Sequence, residues 1–86
     1  MIDIVIEVYK GDMAQFIHDA INFKTTLQFP QHGTIEMRQD CSHYHIKQGD
    51  KINIRAEGRF MDIPAVIKDI SGNKIYFEQT VGAING

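Results

Sequence analysis

The chain has 86 residues, a formal net charge of −2 and a hydrophobic fraction of 43%. This length predicts one domain over residues 1–86, and the apolar content argues against disorder. The negative charge removes the usual basis for tight, non-specific nucleic-acid binding, so no DNA partner is expected. No apolar run is long enough to span a bilayer, and no basic segment precedes the apolar N-terminus, so neither membrane association nor a signal peptide is expected. The single cysteine cannot form an internal disulfide, which agrees with an expected cytoplasmic location.

The N-terminal third predicts a strand followed by a helix. Residues 2–9 alternate with a period of two, which is typical of a half-buried strand. Asp12 is a suitable N-cap, and Gln15 completes a capping-box pattern three residues later. Apolar residues then follow at helical spacing on one face: Met13, Phe16, Ile17, Ala20 and Ile21. This stripe predicts one amphipathic helix over about residues 12–23.

The remainder of the chain predicts short strands. Apolar alternation marks strands near residues 23–29, 35–37, 41–46, 52–56, 60–67 and 75–77. Turn residues separate them at 47–51, 57–59 and 71–74. Short strands at this spacing are typical of small antiparallel barrels. The predicted fold is therefore α+β: a small antiparallel β-barrel or strongly curved sheet of five to six strands, capped by the helix.

A thiol and two imidazoles occupy alternate positions in the segment "CSHYH", residues 41–45. On a strand these side chains would share one face, with about 6.5–7 Å between successive Cα atoms. Such a face could hold zinc through Cys41, His43 and His45. The sequence leaves the fourth ligand open: His18, His32 and Asp40. The alternative is an exposed polar strand face whose opposite side places Tyr44 in the core.

A second set of residues combines an R-x-x-x-R motif, Arg55 and Arg59, with a D-x-S turn, Asp69 and Ser71. These motifs resemble the two signatures of PilZ domains, which are small barrels that bind cyclic dinucleotides. The resemblance implies that the arginines grip the phosphates and that the turn contacts the base and sugar. Paired guanidinium groups make forked contacts with phosphate oxygens, which is the chemistry such a site requires. An ordinary hairpin with solvated arginines is the alternative.

The same region also resembles Sm-like RNA-binding barrels, in which a helix precedes five strands and a glycine follows a segment such as "INIRAE". The resemblance implies assembly into rings through edge strands. It also implies single-stranded RNA as a partner, held by stacking and phosphate contacts. The side chains that could stack on bases are Tyr44, Tyr76, His43 and His45.

No nucleophile elbow, phosphate-binding loop, zinc-protease motif or dinucleotide fingerprint occurs in the sequence, so an enzyme is not expected. Small size and strand edges favour a non-enzymatic regulatory or interaction module that acts through a protein partner or as a homo-oligomer. The first alternative is a nucleotide or RNA binder that uses four residues: Arg55, Arg59, Asp69 and Ser71. The second is a zinc-binding module that uses three residues: Cys41, His43 and His45. No other cofactor is expected.

Overall fold

The computed structural model describes residues 3–56 and 62–80. In these residues seven strands form one antiparallel sheet, with a short 3₁₀ helix between the fourth and fifth strands. The elements are β1 Ile4–Lys10, β2 Met13–Ile17, β3 Ala20–Thr25, β4 His32–Met37, the 3₁₀ helix Cys41–Tyr44, β5 Lys51–Ala56, β6 Ile63–Ser71 and β7 Lys74–Gln79. Across the sheet the order is β2-β1-β5-β6-β7-β4-β3. None of the described helical residues forms a helix long and apolar enough to cross a membrane.

The core follows from period-two alternation along the central strands. One face of each contributes buried side chains, so the strand predictions for β1, β5 and β7 are confirmed. The buried apolar residues of these three strands are Ile4, Ile6, Val8, Ile52, Ile54, Ala56, Ile75 and Phe77. Phe77 also stacks on Phe23 of β3, with 5.9 Å between ring centroids. The sheet therefore folds its inner face around a single apolar cluster.

The predicted amphipathic helix over 12–23 is wrong, because these residues form β2 and β3. Gly11 and Asp12 form a two-residue hairpin turn between β1 and β2, and Gly11 has a φ of 65°. Glycine adopts this left-handed conformation without the steric penalty that a Cβ imposes. Of the five residues in the predicted stripe, Ile17 is buried, whereas Met13, Phe16 and Ile21 are exposed. The α+β class is therefore corrected to an antiparallel β fold.

The sheet is curled but does not close into a barrel, so the barrel prediction is also wrong. Strands β2 and β3 are the two edges, and no pairing joins them within the described residues. Yet only two residues separate Ile17 from Ala20 along the chain, a span of at most about 11 Å. The edges of a flat sheet of this size would lie roughly 29 Å apart. The short link therefore forces the sheet to curl, and Cα atoms of β1 and β3 approach within 8 Å.

The predicted strand at 41–46 is wrong as well, since Cys41–Tyr44 is a 3₁₀ helix. Asp40 caps it by accepting from the Ser42 amide at 3.1 Å. Cys41 and Tyr44 then point into the core, as i and i+3 positions of a 3₁₀ turn share one side. The Tyr44 hydroxyl donates to Asp19 Oδ2 at 2.9 Å, which ties the turn to the link between β2 and β3.

Two predicted turns are confirmed. Gly49 and Gly72 have φ values of 94° and 60°, and the Asp50 amide donates to the Lys47 carbonyl at 3.1 Å. The predicted turn at 57–59 lies outside the described residues.

Asp50 is a buried carboxylate in the turn before β5. It accepts hydrogen bonds from Lys10 Nζ at 2.7 Å, Lys47 Nζ at 3.0 Å and the Lys47 amide at 3.0 Å. Burial acts to raise the pKa of Asp50, but the hydrogen bonds from the two lysines outweigh it, so the pKa lies below its usual value. The ionised carboxylate thus joins the end of β1 to the start of β5.

We expect Asp50→Asn to lower the free energy of unfolding at pH 7 by roughly 1–3 kcal/mol, since the two lysines lose a charged acceptor. Because the folded pKa of Asp50 is depressed, its contribution is complete above the unfolded value of about 4 and is lost as the pH falls through the folded value. The difference in the free energy of unfolding between wild type and variant should therefore become smaller towards pH 2. Urea unfolding at several pH values measures it. Asp3→Asn, at an exposed carboxylate, is the control, and an equal loss in both variants contradicts the prediction.

Candidate functional site

Arg55, from the predicted nucleotide site, is exposed on β5 and forms an ion pair with Asp62. Its Nη2 and Nε atoms lie 3.2 and 3.3 Å from Asp62 Oδ2. Asn53 Nδ2 donates to the same oxygen at 3.0 Å. The hydrogen bonds from Asn53 and then Arg55 lower the pKa of Asp62, so this carboxylate holds its charge beside the guanidinium. Arg55 therefore already has an anionic partner in the chain.

The other residues of the predicted nucleotide site lie elsewhere. Asp69 and Ser71 stand at the far end of β6, beside the turn into β7. Seven residue steps separate Asp62, the partner of Arg55, from Asp69, which amounts to roughly 20 Å along a strand. The structure does not bring the Arg55 guanidinium together with the Ser71 turn. Arg59 lies outside the described residues, and the nucleotide and RNA hypotheses stay predictions.

The proposed stacking residues are also dispersed. Tyr44 is buried, and its hydroxyl is occupied by Asp19 and by the Gln39 amide. Burial, followed by the hydrogen bond to Asp19, raises the pKa of Tyr44. Tyr76 is exposed on β7, on the opposite side of the sheet from the core.

The zinc hypothesis places its three ligands on one strand face, but the 3₁₀ helix separates them. Cys41 is 2% exposed, whereas His43 and His45 are exposed. Burial, with a smaller contribution from Asp40, raises the pKa of the Cys41 thiol and so disfavours the thiolate that a metal requires. Among the described residues no group of three or more His, Cys, Asp or Glu side chains is arranged to hold a metal.

The edge strand β2 is the feature that the sequence did not predict. Its exposed residues include Met13 at 73% and Phe16 at 55%. From Met13 to Ile17 the strand carries no charge and no proline. Natural edge strands usually carry lysine, proline or a bulge, which prevent pairing with another chain. In the described structure β2 therefore presents an apolar edge without these protections.

The hairpin geometry determines which backbone groups of β2 face outward. A two-residue turn is closed by a hydrogen-bonded pair, here Lys10 and Met13. Hydrogen-bonded and non-bonded pairs then alternate along an antiparallel ladder. The N–H and C=O groups of Ala14 and Phe16 consequently point away from β1. They are the groups that a further strand would meet.

The opposite edge, β3, differs from β2 in each respect. It contains a register shift between Ala20 and Asn22, and Lys24 is exposed on it. The Phe23 amide donates to the Asn22 side chain at 2.9 Å. A bulge, a lysine and a side-chain cap all discourage strand addition. The two edges of the same sheet are thus protected unequally.

A second exposed apolar region lies in the loop between β3 and β4, where Leu27 and Phe29 border an open cleft of about 730 Å³. The loop contains a cis peptide bond before Pro30. The cleft is lined by residues 26–30 of the loop itself and by His32.

No protein-family model, curated protein or solved structure matches this chain. The β2 edge had one recognisable signal in the sequence: the dipeptide Gly11-Asp12 between two apolar segments, which favours a hairpin over a helix N-cap.

We expect Zn²⁺ to leave the melting temperature unchanged, because Cys41 is buried as a thiol and the nearby histidines are exposed. Thermal unfolding with zinc and with chelator measures the effect. A rise in melting temperature that both Cys41→Ala and His43→Ala abolish would contradict this expectation and restore the zinc site.

Proposed function

We propose that the protein is a small non-enzymatic interaction module that binds a protein strand along the edge of β2. The observation that carries this proposal is the unprotected edge: an uncharged strand with outward-facing backbone groups at Ala14 and Phe16. Strand addition to an open sheet edge is a recurring mode of protein recognition. Backbone hydrogen bonds supply affinity in that mode, and side chains at alternate positions supply selectivity.

The side chains beside the edge suit a protein partner. Phe16 lies on the outer face opposite Glu7, and Ala14 lies opposite Tyr9, which is also exposed. Aromatic residues are enriched at protein interfaces, where they bury a large area with few rotatable bonds. Because Ala14 is small, an incoming side chain can pack beside the Phe16 and Tyr9 rings. An added strand would therefore gain apolar contacts as well as hydrogen bonds.

The inner side of β2 is held in place, which keeps the edge ready for binding. Ile17 is buried against the core, and the Gln15 side chain donates to the Tyr44 carbonyl at 3.3 Å. The 3₁₀ helix thus supports β2 from beneath. A strand fixed in this way has less conformational freedom to lose when a partner binds, which favours affinity.

Site-specific photo-crosslinking in cells that normally express the protein tests this proposal. A benzophenone amino acid at Phe16 should give discrete crosslinked species, because the partner strand lies against this side chain. The same amino acid at Ile21, an exposed residue of the protected edge β3, is the matched control. Ala14→Lys should reduce the Phe16 products several-fold by placing a charge on the edge.

Two results of the crosslinking experiment would contradict the proposal. If Phe16 and Ile21 give the same products, or if Phe16 gives none, binding along β2 is excluded. Folding of each variant is checked by its melting temperature, so that loss of crosslinking is not mistaken for loss of structure.

A further inference from the structure

The unprotected edge of β2 is complementary to a second copy of itself. Two β2 strands related by a two-fold axis run antiparallel, and each residue then meets a fixed partner. Outward-facing backbone groups have to meet other outward-facing groups, since inward-facing ones already bond to β1. Because the backbone groups of Ala14 and Phe16 face outward, the axis can pass through position 14, 15 or 16. An axis midway between two positions would pair an outward-facing residue with an inward-facing one, and no hydrogen bonds would form.

The axis through Gln15 uses the whole strand. It places Ala14 opposite Phe16 of the second copy, and by symmetry it does so twice. All five residues from Met13 to Ile17 then have a partner in β2 of the second copy, and these paired residues form the seam between the copies. An axis through position 14 or 16 leaves two of the five without a partner in that strand. Each lost hydrogen-bonded pair removes two backbone hydrogen bonds. The register centred on Gln15 therefore gives the largest number of bonds.

Side chains favour the same register. On the outer face, the large Phe16 ring packs beside the small Ala14 of the other copy. On the inner face, Met13 meets Ile17. Immediately beyond the strand ends, Asp12 of one copy lies next to His18 of the other, at both ends of the seam. The imidazole of His18 can donate a hydrogen bond to the Asp12 carboxylate across the two strands, which favours this register.

We propose that the protein forms a two-fold symmetric homodimer through β2, in the register centred on Gln15, so that two sheets join into one. This inference rests on the proposed function and names the partner of its binding edge. A seam of five residues per copy is short. It is smaller than interfaces of standard size, so the dimer is weak and depends on concentration, with a Kd on the order of micromolar or higher.

A disulfide test reads the register directly. Residues on the axis face each other as a non-hydrogen-bonded pair, with Cα atoms about 4.5 Å apart, a distance that a disulfide can bridge. Gln15→Cys should therefore give a covalent dimer when the purified full-length chain is incubated with oxidised glutathione. Ile21→Cys on β3 is the matched control. The native Cys41 is buried and should not contribute. Equal crosslinking of the two variants, or none at position 15, overturns the register.

Sedimentation velocity over a range of concentrations tests the dimer without any new cysteine. Ala14→Lys should raise the dimer Kd about tenfold or more, because it replaces the small partner of Phe16 with a charge. Ile21→Lys should leave the Kd unchanged. Asp12→Lys should weaken the dimer, because it removes the carboxylate that faces His18. Adding His18→Glu to that variant should restore the dimer, since lysine and glutamate place opposite charges at both ends. A dimer that ignores Ala14→Lys, or a failed swap, overturns the proposal.

The two proposals fail in distinguishable ways. A purified chain that remains monomeric at every concentration removes the homodimer. If Phe16 still crosslinks to a different protein in cells, the binding edge stands and its partner is another chain. If neither association is observed, both proposals fall together.

Discussion

Two residues, His18 and Asp19, connect strands that stand at opposite ends of the strand order. This short link can connect β2 to β3 only if the sheet curls until its two edges lie close together. Curling turns the alternating apolar face of the central strands inward and encloses the core. The 3₁₀ helix adds the buried side chains of Cys41 and Tyr44 to that core, and the hydrogen bond from Tyr44 to Asp19 joins the helix to the link itself. The enclosed core and the positions of the 3₁₀ helix and the two sheet edges therefore depend on this short link.

The sequence pattern predicted strands correctly where the period-two alternation continues along a strand that packs on the core. The strands β1, β5 and β7 alternate because one face of each lies on the core, and so their pattern has a single cause. It failed at residues 12–23, where two strands meet at a bend. Where these two short strands follow one another, their apolar residues happen to fall at the spacing of a helix. Most of these residues are exposed, so burial did not constrain their pattern.

The functional predictions met the same difficulty. "CSHYH" alternates as a strand would, yet a local bond from the Ser42 amide to Asp40 starts a 3₁₀ turn instead. Arg55 and Ser71 are close in sequence but are separated by the length of β6, because an extended strand carries its ends far apart. A sequence shows which residue types are present. It does not show which edge of a sheet is left without a neighbour, since that depends on long-range strand order.

The unequal protection of the two edges has a consequence for the size of any assembly. Pairing of β2 with β3 of the next molecule would leave a free β2 and a free β3 at the ends, so such a contact could repeat into an open fibre. The bulge, Lys24 and the Asn22 cap oppose that contact on the β3 side. A seam between two β2 strands instead uses up both unprotected edges at once. In the proposed dimer growth would therefore stop at a closed pair, whereas a contact between β2 and β3 could continue from one molecule to the next.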